Sequence, residues 1–563
     1  MDIDELFSFK SVTALPDTPV HAGSGEGGRK RSRFTAAETG SSSVPKKQHL
    51  QADENAGSDG MEPSISGEER LRILKMIEDE PEESQMDASA LKRMSSVLDK
   101  RISRNQEMRI KFPDQPERFM DSELELHESI QELHALATIP ELYPIAVELN
   151  LSSVLLSLLA HENADISCAV LNLFQEITDV ETINENEEAT GVFIDKLIDQ
   201  QVVSVLTQNL DRLDEAEKDE ADGVHNTLAI FENLFELRPE LCSKAGENGL
   251  LQWLLKRIRA RIPFDGNKLY AGETLAILLQ DTPINRSVLG DLEGIDILLQ
   301  QLAFYKKHDP SSDEEAEYME NLFNCLCSSL LWGPNREKFL KGEGPQLMNL
   351  MLKERKQSRS GALKVLNHAV SGPDGAANAN KMIEILGLRT LFPLFMKTPK
   401  KAKRKGLTAM EHEEHVVSII ASIFQHVSGQ FRGRLLVKYE ENEFEKIERL
   451  CELHFKYFEK LHAVNMSIKA DQDSNETLEE DEIYMRKLDS GLFTLQLVDY
   501  IILEVCSASQ KCKDKVMKLL MLHRVNFNSI KDIVKDYADN IGDENSQWRQ
   551  KQQQNIELLL ENV

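Results

Sequence analysis

The chain has 563 residues, of which 41% are hydrophobic, 29% charged and only 6% aromatic. Its 66 Lys and Arg stand against 95 Asp and Glu, a formal charge of −29. That composition excludes a Val-, Tyr- and Trp-rich sandwich or barrel. So acidic a balance also argues against non-specific nucleic-acid or anionic-membrane binding as the main task, and it favours cationic partners.

The opening MDIDELFSFK is acidic where a secretory signal is basic, and no apolar run approaches a membrane span. The seven cysteines are scattered and odd in number, and they read as buried reduced thiols of an intracellular protein. Residues 1–65 hold Gly, Ser, Pro and Asp but few large apolar groups, and are expected to be a disordered tail. Within it Arg29, Lys30, Arg31 and Arg33 form one basic cluster and Lys46 and Lys47 a second. An extended chain can lay both on an import receptor, so the pair reads as a bipartite nuclear localisation signal.

Helical patterning starts near Ser66 and is broken at Pro113 and Pro116, giving an expected N-terminal helical cap over 66–140. From there the apolar periodicity hardly stops. NRSVLGDLEGIDILLQQLAF (285–304) and NREKFLKGEGPQLMNLMLKE (335–354) open alike with Asn-Arg, reach Gly at the tenth step, and then run apolar at helical spacing. A small or polar residue followed by an apolar helix recurs at Asn150, Gln201, Gly249, Gly294, Gly344 and Gly387, at intervals of 51, 48, 45, 50 and 43. Short helix, helix, longer helix at this period is the armadillo pattern. The glycines are expected to turn the chain with φ above zero between the first two helices. No unit covers its own apolar face. The expectation is therefore an all-α, right-handed α-solenoid of about six armadillo-type repeats over 141–429. A C-terminal helical cap follows over 430–563, with an acidic loop at 471–482.

Signals for catalysis are poor. The histidines of HEEH (412–415) are three apart where a zinc-protease helix needs four, so His412 and His415 read as exposed polar residues. No nucleophile constellation or glycine fingerprint stands out, and no enzyme activity, metal or cofactor is expected.

In an armadillo stack the third helices line the concave groove. Peptide-binding armadillo proteins carry there a Trp and, four residues on, an Asn whose amide grips the ligand backbone. In this sequence the Asn position carries Gln175, Asn233, Gln280, Ser328, His368 and Gln425, all able to hydrogen-bond. The Trp position carries Leu171, Ala229, Ala276, Asn324, Lys364 and Ala421, so aromatic slots for long Lys stems are absent. Carboxylates beside the ladder, Asp179, Glu232, Glu236, Glu273 and Asp281, favour a basic ligand. The basic loop KTPKKAKRK (397–405) reads as an exposed loop.

The blocks NQEMRIKFPDQPERFMDSELEL, EADGVHNTLAI, GLLQWLLKR, KFLKGEG, QLMNLMLKE, GLRTLFPLFMK and ELHFKY closely resemble the beta-catenin-like protein 1 family, from about residue 90 to the C-terminus. The resemblance implies a nuclear armadillo protein of the spliceosome's NineTeen complex. Such a protein would bind basic, localisation-signal-like segments of splicing factors, among them the Cdc-five-like subunit, and it would do no chemistry. It places the family's import signal on Arg29, Lys30 and Arg31. The rival on the same fold is a nuclear import receptor-like carrier, which needs the Trp/Asn ladder in full. Direct RNA binding is disfavoured by the net charge, no membrane partner is expected, and homodimer formation is left open.

Overall fold

The computed structural model describes residues 86–399, 407–473, 479–542 and 546–563. The basic clusters of the tail, Arg29 to Arg33 with Lys46 and Lys47, lie outside the described residues, as does most of the 397–405 loop. The described residues are helical throughout, without a strand. No single helix among them is long and apolar enough to cross a membrane.

Two helices, Ala88–Lys111 and Met120–Glu132, precede the repeats. They are joined by a buried hydrogen bond from Asn105 Nδ2 to Ser122 Oγ (3.0 Å). Six helical triplets follow. Unit 1 runs through Tyr143–Glu148, Leu151–Leu158 and Ala164–Ile177. Unit 2 has a split first helix, Val180–Glu185 and Glu187–Asp199, then Val202–Leu210 and Lys218–Leu237. Unit 3 is Leu241–Glu247, Leu250–Arg259 and Gly266–Gln280. Unit 4 is Pro283–Asp291, Gly294–Phe304 and Asp313–Ser329. Unit 5 is Gly333–Lys341, Gly344–Lys353 and Ser358–Val370. Unit 6 is Ala376–Glu384, Leu388–Met396 and Ala409–His426.

Second helices of 8 to 11 residues are too short to persist alone in water, so packing must hold them. In unit 3, Leu250, Leu251, Leu254 and Ile258 of the second helix and Leu275, Leu278 and Leu279 of the third are all fully buried. Each contributes roughly 2 kcal/mol relative to exposure. Third helices start where a side chain caps free backbone N–H groups: Asn163, Asp265, Ser312, and Thr408 in a full capping box with Glu411.

The turn between first and second helices differs from the sequence expectation. The left-handed residue is Asn150, Gln201, Gly249, Glu293, Glu343 or Leu386, with φ from 57° to 93°. Only Gly249 among these is glycine. Gly294, Gly344 and Gly387 sit one step later, outside the left-handed region, and serve close packing instead. A Cβ on Gly344 would lie 2.3 Å from the Phe339 ring.

The repeated Asn-Arg pair has a mechanical role. Asn285 Nδ2 donates to Leu278 O (2.9 Å) at the end of its own unit-boundary turn and to Cys242 O (2.8 Å) in the preceding unit. Asn335 does the same to Ser329 O (3.1 Å) and Arg286 O (2.7 Å). Arg286 Nε reaches Leu279 O (2.9 Å) and Arg336 Nε reaches Leu330 O (2.7 Å). Last-turn carbonyls have no partner within their own helix, so these side chains complete one unit's third helix while gripping the unit before. The oxygens of Asn285 and Asn335 press on Gly246 and Gly290, where a Cβ would come within 2.0 Å. The corresponding position in unit 5 is Leu340, and there the third carboxamide, Asn378, stands farther from its acceptor, Arg336 O (3.4 Å).

Beyond unit 6 the helix Leu492–Ala508 packs beside Ala409–His426 as the next third helix. It is flanked by the long Glu445–Asp473 and by Gln510–Leu522, Phe527–Asp539 and Ser546–Asn562. The acidic loop expected over 471–482 is shorter than that. Residues up to Asp473 extend the long helix and Glu480–Asp489 is itself helical, its first turn carrying Glu480, Asp481 and Glu482, where carboxylates suit a helix N-terminus.

Candidate peptide groove

The six ladder positions do not form one continuous row. Gln175, Asn233 and Gln280 are half-buried on the third helices of units 1–3. Ser328 is buried, at 2% exposure, so it cannot meet a ligand. His368 is half-buried, but its Nδ1 is enclosed without a partner, and burial beside Arg336 and Lys364 pushes the imidazole down to about 4. Gln425 lies against the C-terminal cap, with Nε2 directed at the Tyr537 hydroxyl (3.5 Å), and the neighbouring Ala421 is 1% exposed. The expected six-membered ladder is thus three members at the N-terminal end. Ser328 has turned into the core, and the cap occupies the far end.

The carboxylates sort in the same way. Asp179 is a helix cap, accepting the Glu181 backbone N–H (3.0 Å) at the turn into unit 2, and Asp281 stands at the corresponding turn after unit 3. Glu232, Glu236 and Glu273 remain on the third helices themselves. Glu236 is exposed. Glu232 accepts from the Tyr270 hydroxyl of the next unit (2.5 Å), and the Tyr270 ring packs on His225 with centroids 5.0 Å apart. One unit back, Asn226 Nδ2 approaches Asn172 Oδ1 (3.5 Å). Residues 172, 226 and 270 were not singled out in the sequence. Tyr270 falls on the same helical strip as Glu273, Ile277 and Gln280, a spacing that identifies it in retrospect.

Charge divides the third helices more sharply than the ladder does. In units 1–4 they hold Asp165, Glu176, Asp222, Glu232, Glu236, Glu273, Glu317 and Glu320 among other carboxylates, against two cations. Of those two, Lys218 is the first residue of its helix, and Lys268 is buried with Nζ on Ala260 O (3.1 Å). The third helix of unit 5 reverses this, with Arg359 and Lys364 and no carboxylate. Inside a low-dielectric groove, such a one-signed wall attracts cations over several ångströms.

The HEEH segment is structural. His412 and His415 are buried, at 5% and 6% exposure, contrary to the expectation that they face solvent. His412 Nε2 meets Leu394 O (3.2 Å) and His415 Nδ1 meets the Asn367 carboxamide (3.3 Å). Between them Glu413 accepts from Lys456 Nζ (2.6 Å), Thr398 Oγ1 (2.6 Å) and the Tyr457 hydroxyl (2.7 Å), tying unit 6 to the long helix of the cap. Burial alone would raise the Glu413 carboxyl, but these bonds hold it below the usual range.

All seven cysteines are free thiols, six of them buried, and desolvation raises every one, which makes them poor nucleophiles.

Comparison with known proteins agrees with this architecture. The profile of the family described as catenin-beta-like, Arm-motif containing nuclear matches residues 68–535. Beta-catenin-like protein 1 of Homo sapiens is 53% identical over 488 residues, covering 85% of this chain and 86% of that protein. Beta-catenin-like protein 1 of Rattus norvegicus is 54% identical over 486 residues, with the same coverage. The beta-catenin-like protein 1 homolog of Schizosaccharomyces pombe is 32% identical over 475 residues, covering 84% of this chain and 82% of that one. With a stacked-triplet fold and a match along most of its length, the chain belongs to the catenin-beta-like, Arm-motif-containing nuclear family.

Proposed function

We propose that this chain is a non-enzymatic adaptor of pre-mRNA splicing that holds basic, localisation-signal-like segments of splicing factors against the third helices of units 1–4. The Cdc-five-like subunit of the NineTeen complex is the partner that the family resemblance suggests. The basic clusters of the tail, Arg29 to Arg33 with Lys46 and Lys47, would serve its own import.

The observation that carries this reading is the near absence of cations from four successive third helices that bear carboxylates on every one. Electrostatics would set the encounter rate, and the carboxamides of Gln175, Asn233 and Gln280 would set register on the peptide backbone. The groove so defined is shorter than the full stack, because Arg359 and Lys364, with no carboxylate beside them on their helix, end it at unit 5.

Glu232→Lys combined with Glu236→Lys is expected to weaken binding of a fluorescein-labelled Lys/Arg-rich segment of the Cdc-five-like subunit by about tenfold or more at low salt, with the chain still folded and its melting temperature lowered only by loss of the Tyr270–Glu232 bond. Unchanged affinity would overturn the placement of the groove. Retention of splicing factors from nuclear extract after RNase treatment separates an adaptor from a protein tethered by RNA.

A further inference from the structure

The edge where each second helix hands over to its third reverses sign along the stack. These connections stack in register. Arg257 joins Glu215 (2.6 Å) across units 2 and 3, and the Phe264 ring packs on Tyr318 across units 3 and 4 at 5.8 Å. Across units 4 and 5, Ser358 Oγ donates to Tyr305 O (2.9 Å) and Lys356 pairs with Asp309 (3.1 Å). In units 1 and 2 this edge carries Glu162, Asp165, Asp211, Asp214, Glu217 and Asp219. In units 3–5 it carries Arg259, Arg261, Lys306, Lys307, Lys353 and Arg355, none of which makes an ion pair among the described residues.

Three of the carboxylates on this edge are already engaged. Asp265 is bound to Arg257 (2.8 Å), Asp309 to Lys356 and the Gln357 N–H (2.9 Å), and Glu315 to Ser311 (2.6 Å) and Tyr305 (3.3 Å). Glu354 and the first-turn Asp313 and Glu314 are exposed acids on the same edge, fewer than the cations around them. Arg359 is half-buried with Nε enclosed and unpartnered, and burial together with the nearby Arg355 disfavours its charge. Arg355 itself holds a left-handed backbone (φ 51°) that glycine would adopt more cheaply. An anion beside Arg355 and Arg359 would meet the half-buried guanidinium that the fold leaves without a partner at Nε.

Beside the cations each of the three units exposes one large apolar side chain: Ile262 (43%), Phe304 (55%) and Leu350 (40%), with His308 stacked on Phe304 at 5.1 Å. Two of the three are aliphatic. A single-stranded polynucleotide would want a run of rings for its bases, and its phosphates would also meet a chain of net charge −29.

We propose that the second-to-third-helix edge of units 3–5 is a docking track for an extended acidic peptide with apolar side chains interleaved among its carboxylates. Successive clusters lie one packed helix apart, roughly 10 Å, about three residues of extended chain. The track is independent of the acidic third-helix face and takes a ligand of opposite charge.

The test is fluorescence anisotropy of a fluorescein-labelled peptide repeating Glu-Glu-Leu, titrated with the full chain at low salt. Saturable binding is expected. Arg261→Glu with Lys307→Glu and Arg355→Glu should weaken it by about tenfold or more, and the corresponding Gln substitutions by an intermediate factor. Glu232→Gln with Glu236→Gln, on the third-helix face, should leave it unchanged within about twofold. A peptide repeating Glu-Glu-Ser should bind several-fold more weakly than Glu-Glu-Leu. Since the three cations are exposed, matching thermal melts separate lost binding from lost folding. Absence of saturation, indifference to the charge reversals, equal binding of the Ser peptide, or tighter binding of labelled polyuridylate would each overturn the proposal.

Discussion

The third helices at the two ends of the repeat stack bear the same kind of sequence and use it differently. In units 1–3 their polar strip is half-open, with Gln175, Asn233 and Gln280 reachable and Glu236 exposed. In units 5 and 6 the equivalent strip is built into the protein. Asn367 meets His415, Ser371 meets Ser422 (3.2 Å), and Gln425 meets Tyr537 of the cap. What differs is the neighbour. The third helices of units 5 and 6 pair their polar groups with each other and, through Gln425, with the C-terminal cap, because burying them unpaired costs about 1–3 kcal/mol each. Armadillo register therefore locates a polar strip without revealing whether the strip is free.

The comparison is broken most strongly by acid. His368, His415 and His426 are held down to about 4, 3 and 4, chiefly by burial, and His412 is also lowered. In units 1–4 the described residues include one histidine lowered in this way, His161. A histidine depressed in the folded state binds its proton more readily when unfolded, so its share of stability is present above pH 6.5 and is lost as pH falls toward the folded value. Glu414, raised by burial to about 7, and Asp499, also raised by burial, work in the opposite sense over part of that range and offset some of the loss. The net effect between pH 6.5 and 4.5 should be a loss on the order of a few kcal/mol, confined to units 5 and 6 and the cap. Hydrogen exchange at pH 7.5 and 5.0 should show Ser358–Val370 and Ala409–His426 losing protection first. Loss of Lys218–Leu237 and Gly266–Gln280 at the same pH would contradict it.

The next largest effect concerns the carboxamide joints between units 3 and 6. Asn335→Ala removes both bonds from the buried Asn335 carboxamide, to Ser329 O and Arg286 O, which should cost about 1–3 kcal/mol and appear as a lower urea midpoint. Asn378→Ala, whose bond is the longer one, should cost less.

A smaller change sharpens the open end. Tyr270→Phe removes one donor from Glu232 and should cost about 1 kcal/mol of stability. It should at the same time tighten a Lys/Arg-rich probe peptide, because one hydroxyl fewer competes for the carboxylate. Smallest of all, Gln175→Ala should leave stability within about 0.5 kcal/mol while weakening that probe. Gln425→Ala should leave probe affinity untouched, as its face belongs to the cap.

Much of the fold could be read from the sequence, because a repeat announces itself by period and each unit obeys the same apolar spacing. The site was less legible. Ser328 lies in register with Gln175 and Asn233, yet a small side chain is drawn inward where a long amide is not. His412 and His415 look polar on paper, but they turn inward onto Leu394 O and the Asn367 carboxamide, partners that the helical spacing around them does not reveal. The glycines at 294, 344 and 387 suggest a conformational role in the sequence, yet their role is steric, since φ cannot be read from letters and Glu293, Glu343 and Leu386 accept the strained turn. The charge boundary between units 4 and 5, by contrast, is written in the residues of the two third helices.

The carboxamide joints also bear on how such a chain can change length. Asn285 reaches back 43 residues, Asn335 reaches back 49 and Asn378 reaches back 42, each to the carbonyl at the same place in the preceding first helix. A whole triplet could be duplicated or excised between two such joints and every donor would still find an acceptor of the same kind. A partial deletion would orphan one at each cut. The hardware that fastens one module to another thus sets the smallest increment by which the array can grow or shrink.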